Sequence, residues 1–277
     1  MPTDLAGALV ASWKPRVAGR GLRIALADGE DDRAIIATVR LQQESLVLPY
    51  LVGRPAVIQA TAAKPGIALP ASLRIVDIDA SARDPRLRKI IANACPTPES
   101  LVDAEKLFHD PLYVTTSMLV LGEVDASVGG ATRPTADVVR AGLRIVGLAP
   151  TVRTVSSCFL MLLPDGRRLA YADCAVVPEP SADQLADVAT ATANTYRQLV
   201  GATPVIAMLS FSTHRSARHP TVDKVRHATA IIRACHPHLA IDGELQFDAA
   251  VVEEIAAPKG TRINRGGPRQ CAYLPEP

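Results

Sequence analysis

Short apolar runs alternate with segments of helical spacing along the first half of this chain, and that alternation restricts its fold more than any other feature. Leu22–Ala27 is apolar and is followed by the acidic start Asp28-Gly29-Glu30-Asp31-Asp32, then by Arg33–Ser45 with helical periodicity. Acids there suit the positive end of a helix dipole. Leu46–Val52 stops at Gly53, and Pro55 opens the next helix. Leu73–Ile78 is a third strand candidate and Val124–Val128 another buried strand, with helices predicted over Pro98–Phe108 and Pro111–Gly122. Strands separated by helices imply a mostly parallel sheet covered on both faces.

The pattern changes after Arg153. Thr154–Leu163 and Arg168–Val177 flank Pro164-Asp165-Gly166, a hairpin signal. Ser181–Val200 reads as a helix capped by Ser181, Pro204–Phe211 as a buried strand and Pro220–Cys235 as a helix. Leu239–Asp242 is a strand and Phe247–Ala257 a helix. The expected architecture is α/β: two three-layer domains with mostly parallel sheets and an interdomain cleft. The boundary falls near Arg140–Arg153, dividing the chain into domains 1–145 and 146–258. From Lys259 the sequence has neither period 2 nor period 3.6, so 259–277 reads as an aberrant tail.

Composition excludes several classes. With 48% hydrophobic residues and a net charge of +2, the chain is not disordered. No Lys/Arg stripe and only 4% aromatics argue against a nucleic-acid partner. No apolar run approaches the roughly 18 residues of a membrane span. Met1–Arg20 mixes Asp4, Trp13 and Lys14 with short apolar pieces and forms no signal-peptide core. The five cysteines (Cys95, Cys158, Cys174, Cys235, Cys271) are odd in number and lack a C-x-x-C pair, as expected for free thiols in a reducing, cytoplasmic compartment.

Three segments could carry chemistry. Gly129-Gly130-Ala131-Thr132-Arg133 follows a strand and precedes a helix. Its small residues admit a ligand to the backbone, and the helix N–H groups favour an anion. Arg133 and Arg140 lie two turns apart on one face, with Arg144 one turn further. A tight turn with a solvated basic face accounts for the same residues equally well. Ser210-Phe211-Ser212-Thr213-His214-Arg215-Ser216 ends a strongly apolar strand, where parallel sheets bind ligands; the alternative is a Ser/Thr-rich turn. Asp242-Gly243-Glu244-Leu245-Gln246-Phe247-Asp248 places three carboxylates and an amide after another strand, or is simply an acidic helix start. Cys235-His236-Pro237-His238 falls at a helix end, and no second Cys/His cluster completes a metal site. No metal is expected.

In order along the chain, these pieces resemble the phosphotransacetylase family, the phosphate acetyltransferases and phosphate butyryltransferases. The resemblance runs from about Arg23 to Pro258. It includes Asp28–Arg33, Pro49–Gly53, Asp110–Tyr113, Gly122–Asp125, Thr135–Arg140 and Tyr171–Ala175. Its strongest parts are Ala207–Thr213 and Ile241–Ala250. The resemblance implies a homodimer that transfers an acetyl group between coenzyme A and phosphate, acetyl-CoA + phosphate to CoA + acetyl phosphate. Acetyl-CoA or another short acyl-CoA is then the partner, coenzyme A a substrate, and no cofactor is needed. Arg140 matches a family arginine on the phosphate side. Gly130, Thr132, Ser210, Ser212, Thr213, Asp242, Glu244 and Gln246 are the further candidates for substrate and phosphate binding. His214-Arg215 depart from a frequent Lys-Gly, and Asp28 from a frequent Glu.

The family's catalytic serine and arginine belong to a distal Asn-Asp-Leu-Ser-Arg-Gly motif, with an aspartate shortly after. Neither is found in these 277 residues. The resemblance therefore leads us to expect little acetyl transfer from this chain. The other readings are a non-catalytic acyl-CoA or acetyl-phosphate module, like the regulatory half of some malic enzymes, and a weakly supported hydrolase using Ser210 or Ser212. The tail after about Thr261 fits a frameshift: Arg269–Pro277, read one base later with suitable codons, yields Gly-Asn-Ala-Leu-Ile-Phe-Pro-Asn, close to a strand the family carries.

Overall fold

The computed structural model describes residues 4–95, 104–150 and 152–258. They form two compact units, Ser12–Gly147 and the remainder of the described residues. Helix α1 (Leu5–Val17) opens the chain. The tail at 259–277 lies outside the described residues, and so does the first part of the helix expected over Pro98–Phe108. Residues 104–108 are helical.

In the unit Ser12–Gly147, β1 (Arg23–Leu26), β2 (Leu48–Gly53), β3 (Arg74–Asp77) and β4 (Ala126–Val128) form one sheet in the order β3-β2-β1-β4. All three pairings are parallel, with Ile24 opposite both Pro49 and Ala126. Neighbouring residues explain the unbroken apolar runs. Ala25 and Val52 pack with Val114, Met118 and Val124 on one face, whereas Leu26 and Leu51 pack with Ile35, Ile58 and Ala62 on the other. Fully burying side chains such as Ile35, Leu51 and Ile58 contributes roughly 1.5–3 kcal/mol each.

The helices are α2 (Asp32–Gln43), α3 (Pro55–Ala63), α4 (Ile78–Ser81), α5 (Pro85–Asn93), α6 (Pro111–Val120) and α7 (Thr135–Ile145). Aspartates fix several of their starts. Asp31 accepts from Arg33 N–H at 3.0 Å, Asp84 from Arg86 N–H at 2.8 Å and Asp110 from Leu112 N–H at 3.0 Å. Each satisfies a helix donor that has no partner within its helix.

In the second unit, β5 (Phe159–Leu162) and β6 (Arg168–Tyr171) form the antiparallel hairpin, turning through Gly166 at φ 87°. A capping box between Ser181 and Gln184 starts α8 (Ala182–Val200), and Gly201 at φ 76° ends it. β7 (Val205–Leu209) pairs in parallel with β8 (Ala240–Leu245), and α9 (Pro220–Cys235) connects them. Ile206 and Met208 of β7 pack with Val188, Ala189, Ala228 and Ile232 from α8 and α9.

Two expectations need correction. β8 continues through Leu245 rather than stopping at Asp242, so the polar Asp242 and Glu244, with Gly243 between them, lie within a strand. The helix expected over Phe247–Ala257 is broken into α10 (Phe247–Val251) and α11 (Glu253–Ala256) by extended Val252 (φ −113°, ψ 121°). Val252 is β-branched, and Arg167 donates to the neighbouring Val251 carbonyl at 3.4 Å, satisfying an acceptor at the break.

Candidate active site

In the unit Ser12–Gly147 the candidate chemistry sits at the carboxyl ends of β1 and β4. Leu26 and Val128 are paired, so Asp28 comes out of the sheet beside Gly129. Gly129 has no room for a side chain: a Cβ there would lie 2.6 Å from the Leu112 side chain. The close approach lets one carboxylate gather the whole turn. Asp28 accepts N–H donors from Gly130 at 2.8 Å, Ala131 at 3.0 Å and Thr132 at 3.2 Å, and the Thr132 hydroxyl at 2.6 Å. Burial pushes the Asp28 carboxyl up, but these four hydrogen bonds outweigh it and hold it below the usual carboxylate range. Arg33 donates to the Ala131 carbonyl at 2.7 Å from the other side. Gly130 and Thr132 thus direct these donors at an internal carboxylate.

The arginines follow directly. Arg133 pairs with Asp110 at 2.9 Å and with Asp137 at 3.4 Å. Arg140 pairs with the same Asp137 at 2.7 Å and keeps 51% of its side chain exposed. Arg144 reaches the Tyr113 hydroxyl at 3.4 Å. Arg140 and Arg144 are both exposed, and Arg140 has one acid partner among the described residues, Asp137 at i−3, in a contact that water already screens. Beside this turn lies a cavity of about 340 Å³ whose lining includes Asp28, Glu30, Asp31, Arg54, His109 and Thr132. Glu30, Arg54 and His109 were not singled out from sequence. They come from three separate loops, and only the strand order brings them together.

In the second unit, the loop after β7 is built around two buried carboxylates. Glu244, 2% exposed, accepts from the Ser212 hydroxyl at 3.1 Å and from Arg215 N–H at 2.5 Å, and lies 3.7 Å from the Arg226 guanidinium. Asp242, 3% exposed, pairs with Arg233 at 2.8 Å, accepts from Gly243 N–H at 3.0 Å and meets His214 at 3.4 Å. The Ser212 hydroxyl also accepts from Ala217 N–H at 3.1 Å. Thr213 donates to the Gln246 side chain at 3.2 Å and accepts Gln246 N–H at 2.9 Å. Ser210 N–H donates to the Leu245 carbonyl at 2.8 Å. Ser210, Ser212, Thr213, Asp242, Glu244 and Gln246 are therefore one assembly. Within it Ser212, Asp242 and Glu244 are buried and committed to protein partners.

Gly243 matters for space. A Cβ there would lie 2.5 Å from Met208 Cβ and 2.8 Å from Thr229 Oγ1. Asp173, in the stretch after β6, is a third internal carboxylate. Burial pushes it up, but the Ser157 hydroxyl and the N–H groups of Val177, Ser157 and Val176 hold it down at about 2. Burial raises both Cys158 and Cys174, which keeps them as thiols at neutral pH. His236 ends α9 by donating its N–H to Ile232.

Residues 11–267 match the sequence family described as "Phosphate acetyl/butaryl transferase". The chain is 40% identical over 260 residues to a phosphate acetyltransferase of Clostridium acetobutylicum, covering 92% of this chain and 78% of that protein. It is 38% identical to a phosphate acetyltransferase of Pseudomonas aeruginosa and 36% identical to one of Escherichia coli. Here too 92% of this chain is covered, but it spans only 36% and 35% of those longer proteins. A phosphotransacetylase from Streptococcus pyogenes superposes with a TM-score of 0.86 at 34% identity, covering 96% of this chain and 81% of that one. A branched-chain phosphotransacylase from Enterococcus faecalis shares the fold alone, at TM-score 0.62 and 15% identity, covering 91% and 79% of the two chains. Fold and relatives together define an acyltransferase. The chain belongs to the phosphate acetyl/butyryl transferase family.

Proposed function

We propose that this protein transfers an acetyl group between coenzyme A and inorganic phosphate. A phosphate oxygen attacks the thioester carbonyl, the C–O bond to phosphate forms, the C–S bond breaks, and the coenzyme A sulfur leaves and takes up a proton. The observation that carries the phosphate side is Arg140: a half-exposed guanidinium on α7 whose one acid partner among the described residues, Asp137, is screened by water. A planar guanidinium presents paired donors that suit phosphate oxygens. Ser210, Thr213 and Gln246 are the proposed substrate-lining groups. Ser212, Asp242 and Glu244 hold their loop, while Gly130 and Thr132 hold Asp28.

The proposal includes domains 1–145 and 146–258, a homodimer, a cytoplasmic location and acetyl-CoA or another short acyl-CoA as the donor. The free cysteines Cys95, Cys158, Cys174 and Cys235 support the reducing compartment. Arg140→Ala tests the phosphate assignment by calorimetry. Losing a charge-assisted contact should cost about 1.5–3 kcal/mol, a weakening of roughly 10- to 150-fold in phosphate affinity. An Arg140→Ala protein that binds phosphate as tightly as the parent refutes the assignment.

A further inference from the structure

The open end of the β5–β6 hairpin carries two cysteines that the transfer chemistry above does not use. Cys158 immediately precedes β5, Cys174 follows the end of β6 by three residues, and Phe159 and Tyr171 are the facing end pair of the two strands. Both cysteines are free thiols, each partly buried and partly open to solvent. Cys95 is buried in the other unit, and Cys235 is exposed at the end of α9.

Contacts bracket Cys158 from both sides. The Cys174 N–H donates to the Ser157 hydroxyl at 3.0 Å, and the Cys174 thiol donates at 3.1 Å to the carbonyl of Tyr171, the residue facing Phe159. The same sulfur lies within reach of the Phe159 N–H, and charge on Cys158 acts on it. Cys174 thus meets the residue before Cys158 with its backbone and the residue after it with its sulfur. Asp173 holds the two segments together independently, accepting the Ser157 N–H at 2.5 Å and the Ser157 hydroxyl at 2.6 Å. A disulfide needs Cα atoms about 4.4–6.8 Å apart, a span that this bracketing allows.

We propose that Cys158 and Cys174 are a reversible oxidation site, closing to a disulfide across the base of the hairpin when a low-molecular-weight disulfide such as oxidised glutathione accumulates. In the first exchange a thiolate of the pair attacks glutathione disulfide, a protein–glutathione S–S bond forms and one glutathione leaves. In the second, the other cysteine attacks the protein sulfur of that mixed disulfide, and the second glutathione leaves. Two protein thiols lose two protons and two electrons, and one glutathione disulfide becomes two thiols. Burial keeps both cysteines as thiols at neutral pH, so the exchange is slow and the pair stays reduced until the oxidant prevails. Transient disulfides of this kind are the ones that occur in a reducing compartment. The site does not depend on the acyl-CoA reading.

Equilibrating the full folded chain with glutathione disulfide, quenching with acid and mapping tryptic peptides tests it. Thr154–Arg167, which holds Cys158, and Leu169–Arg197, which holds Cys174, should be recovered joined, with a mass loss of two hydrogens. Two of the chain's five thiols should then fail to react with a colorimetric thiol reagent in urea, and dithiothreitol should restore both. The oxidised chain should unfold at a higher urea midpoint than the reduced one, because the bond closes a short loop in the unfolded state. Cys158→Ser and Cys174→Ser should each abolish the joined peptide and the shift in midpoint. Recovery of both peptides unlinked, whether as free thiols or as separate glutathione adducts, overturns the proposal. So does linkage of either cysteine to Cys95 or Cys235 instead. A joined chain that unfolds at a lower midpoint than the reduced one overturns it too, since the native spacing would then not suit the bond.

Discussion

Replacing Asp173 by asparagine removes one charge and almost no volume from a position that is 3% exposed. The native carboxylate accepts the Ser157 N–H at 2.5 Å, the Ser157 hydroxyl at 2.6 Å, and the N–H groups of Val176 at 2.9 Å and Val177 at 2.6 Å. It thereby ties the approach to β5 to the segment that follows β6. Held at about 2 against 3.8 for an unhindered aspartate, it contributes about 2 kcal/mol of stability near neutral pH. The folded value is depressed, so this stability is fully present above pH 3.8. It falls to roughly half by about pH 3 and is lost as pH drops through 2. Urea unfolding followed by circular dichroism at pH 7, 5, 4, 3 and 2.5 should show Asp173→Asn less stable by about 2 kcal/mol at the first three values, with the gap closing below them. A gap that stays constant down to pH 2.5, or no gap at pH 7, refutes the charge-based account of this contact.

Gly243→Ala should destabilise the protein by about 1–3 kcal/mol, read as a lower urea midpoint, because the new methyl meets Met208 Cβ at 2.5 Å in a packed strand pair. Asp28→Asn should cost about 1–3 kcal/mol in the same assay, since an amide cannot accept from all four donors of the Gly130–Thr132 turn. A neutral outcome for Asp28→Asn means the turn holds its shape without the carboxylate.

Much of the fold was legible because its signals are local. Pro220 at the first turn and Ser181 as a cap mark helix starts, and the Pro164-Asp165-Gly166 turn marks the hairpin, without help from the rest of the chain. The break at Val252 was not legible, because Phe247–Ala257 has helical spacing and the interruption involves Arg167, distant in sequence. The site divides in the same way. The Ser210–Thr213 and Asp242–Gln246 segments were each legible as candidates after a strand, and the structure joins them because parallel strands deliver their carboxyl ends to one edge. That Asp28 fills the Gly130–Thr132 turn could not be read, since the partners lie 102 to 104 residues apart. The turn's composition fits an internal carboxylate as well as an external phosphate. Likewise Asp242 and Glu244 read as substrate-binding acids in sequence, and their burial beside Arg233 and Arg226 could not be seen there.

Release of coenzyme A thiol from acetyl-CoA, followed colorimetrically with and without inorganic phosphate, tests the central claim most directly. The account predicts thiol release that rises and saturates with phosphate, however slow in absolute terms. It also predicts that Arg140→Ala lowers the second-order dependence on phosphate by at least roughly tenfold. Thiol release that ignores phosphate, as a hydrolase would give, or no phosphate-dependent release at any concentration, contradicts the account.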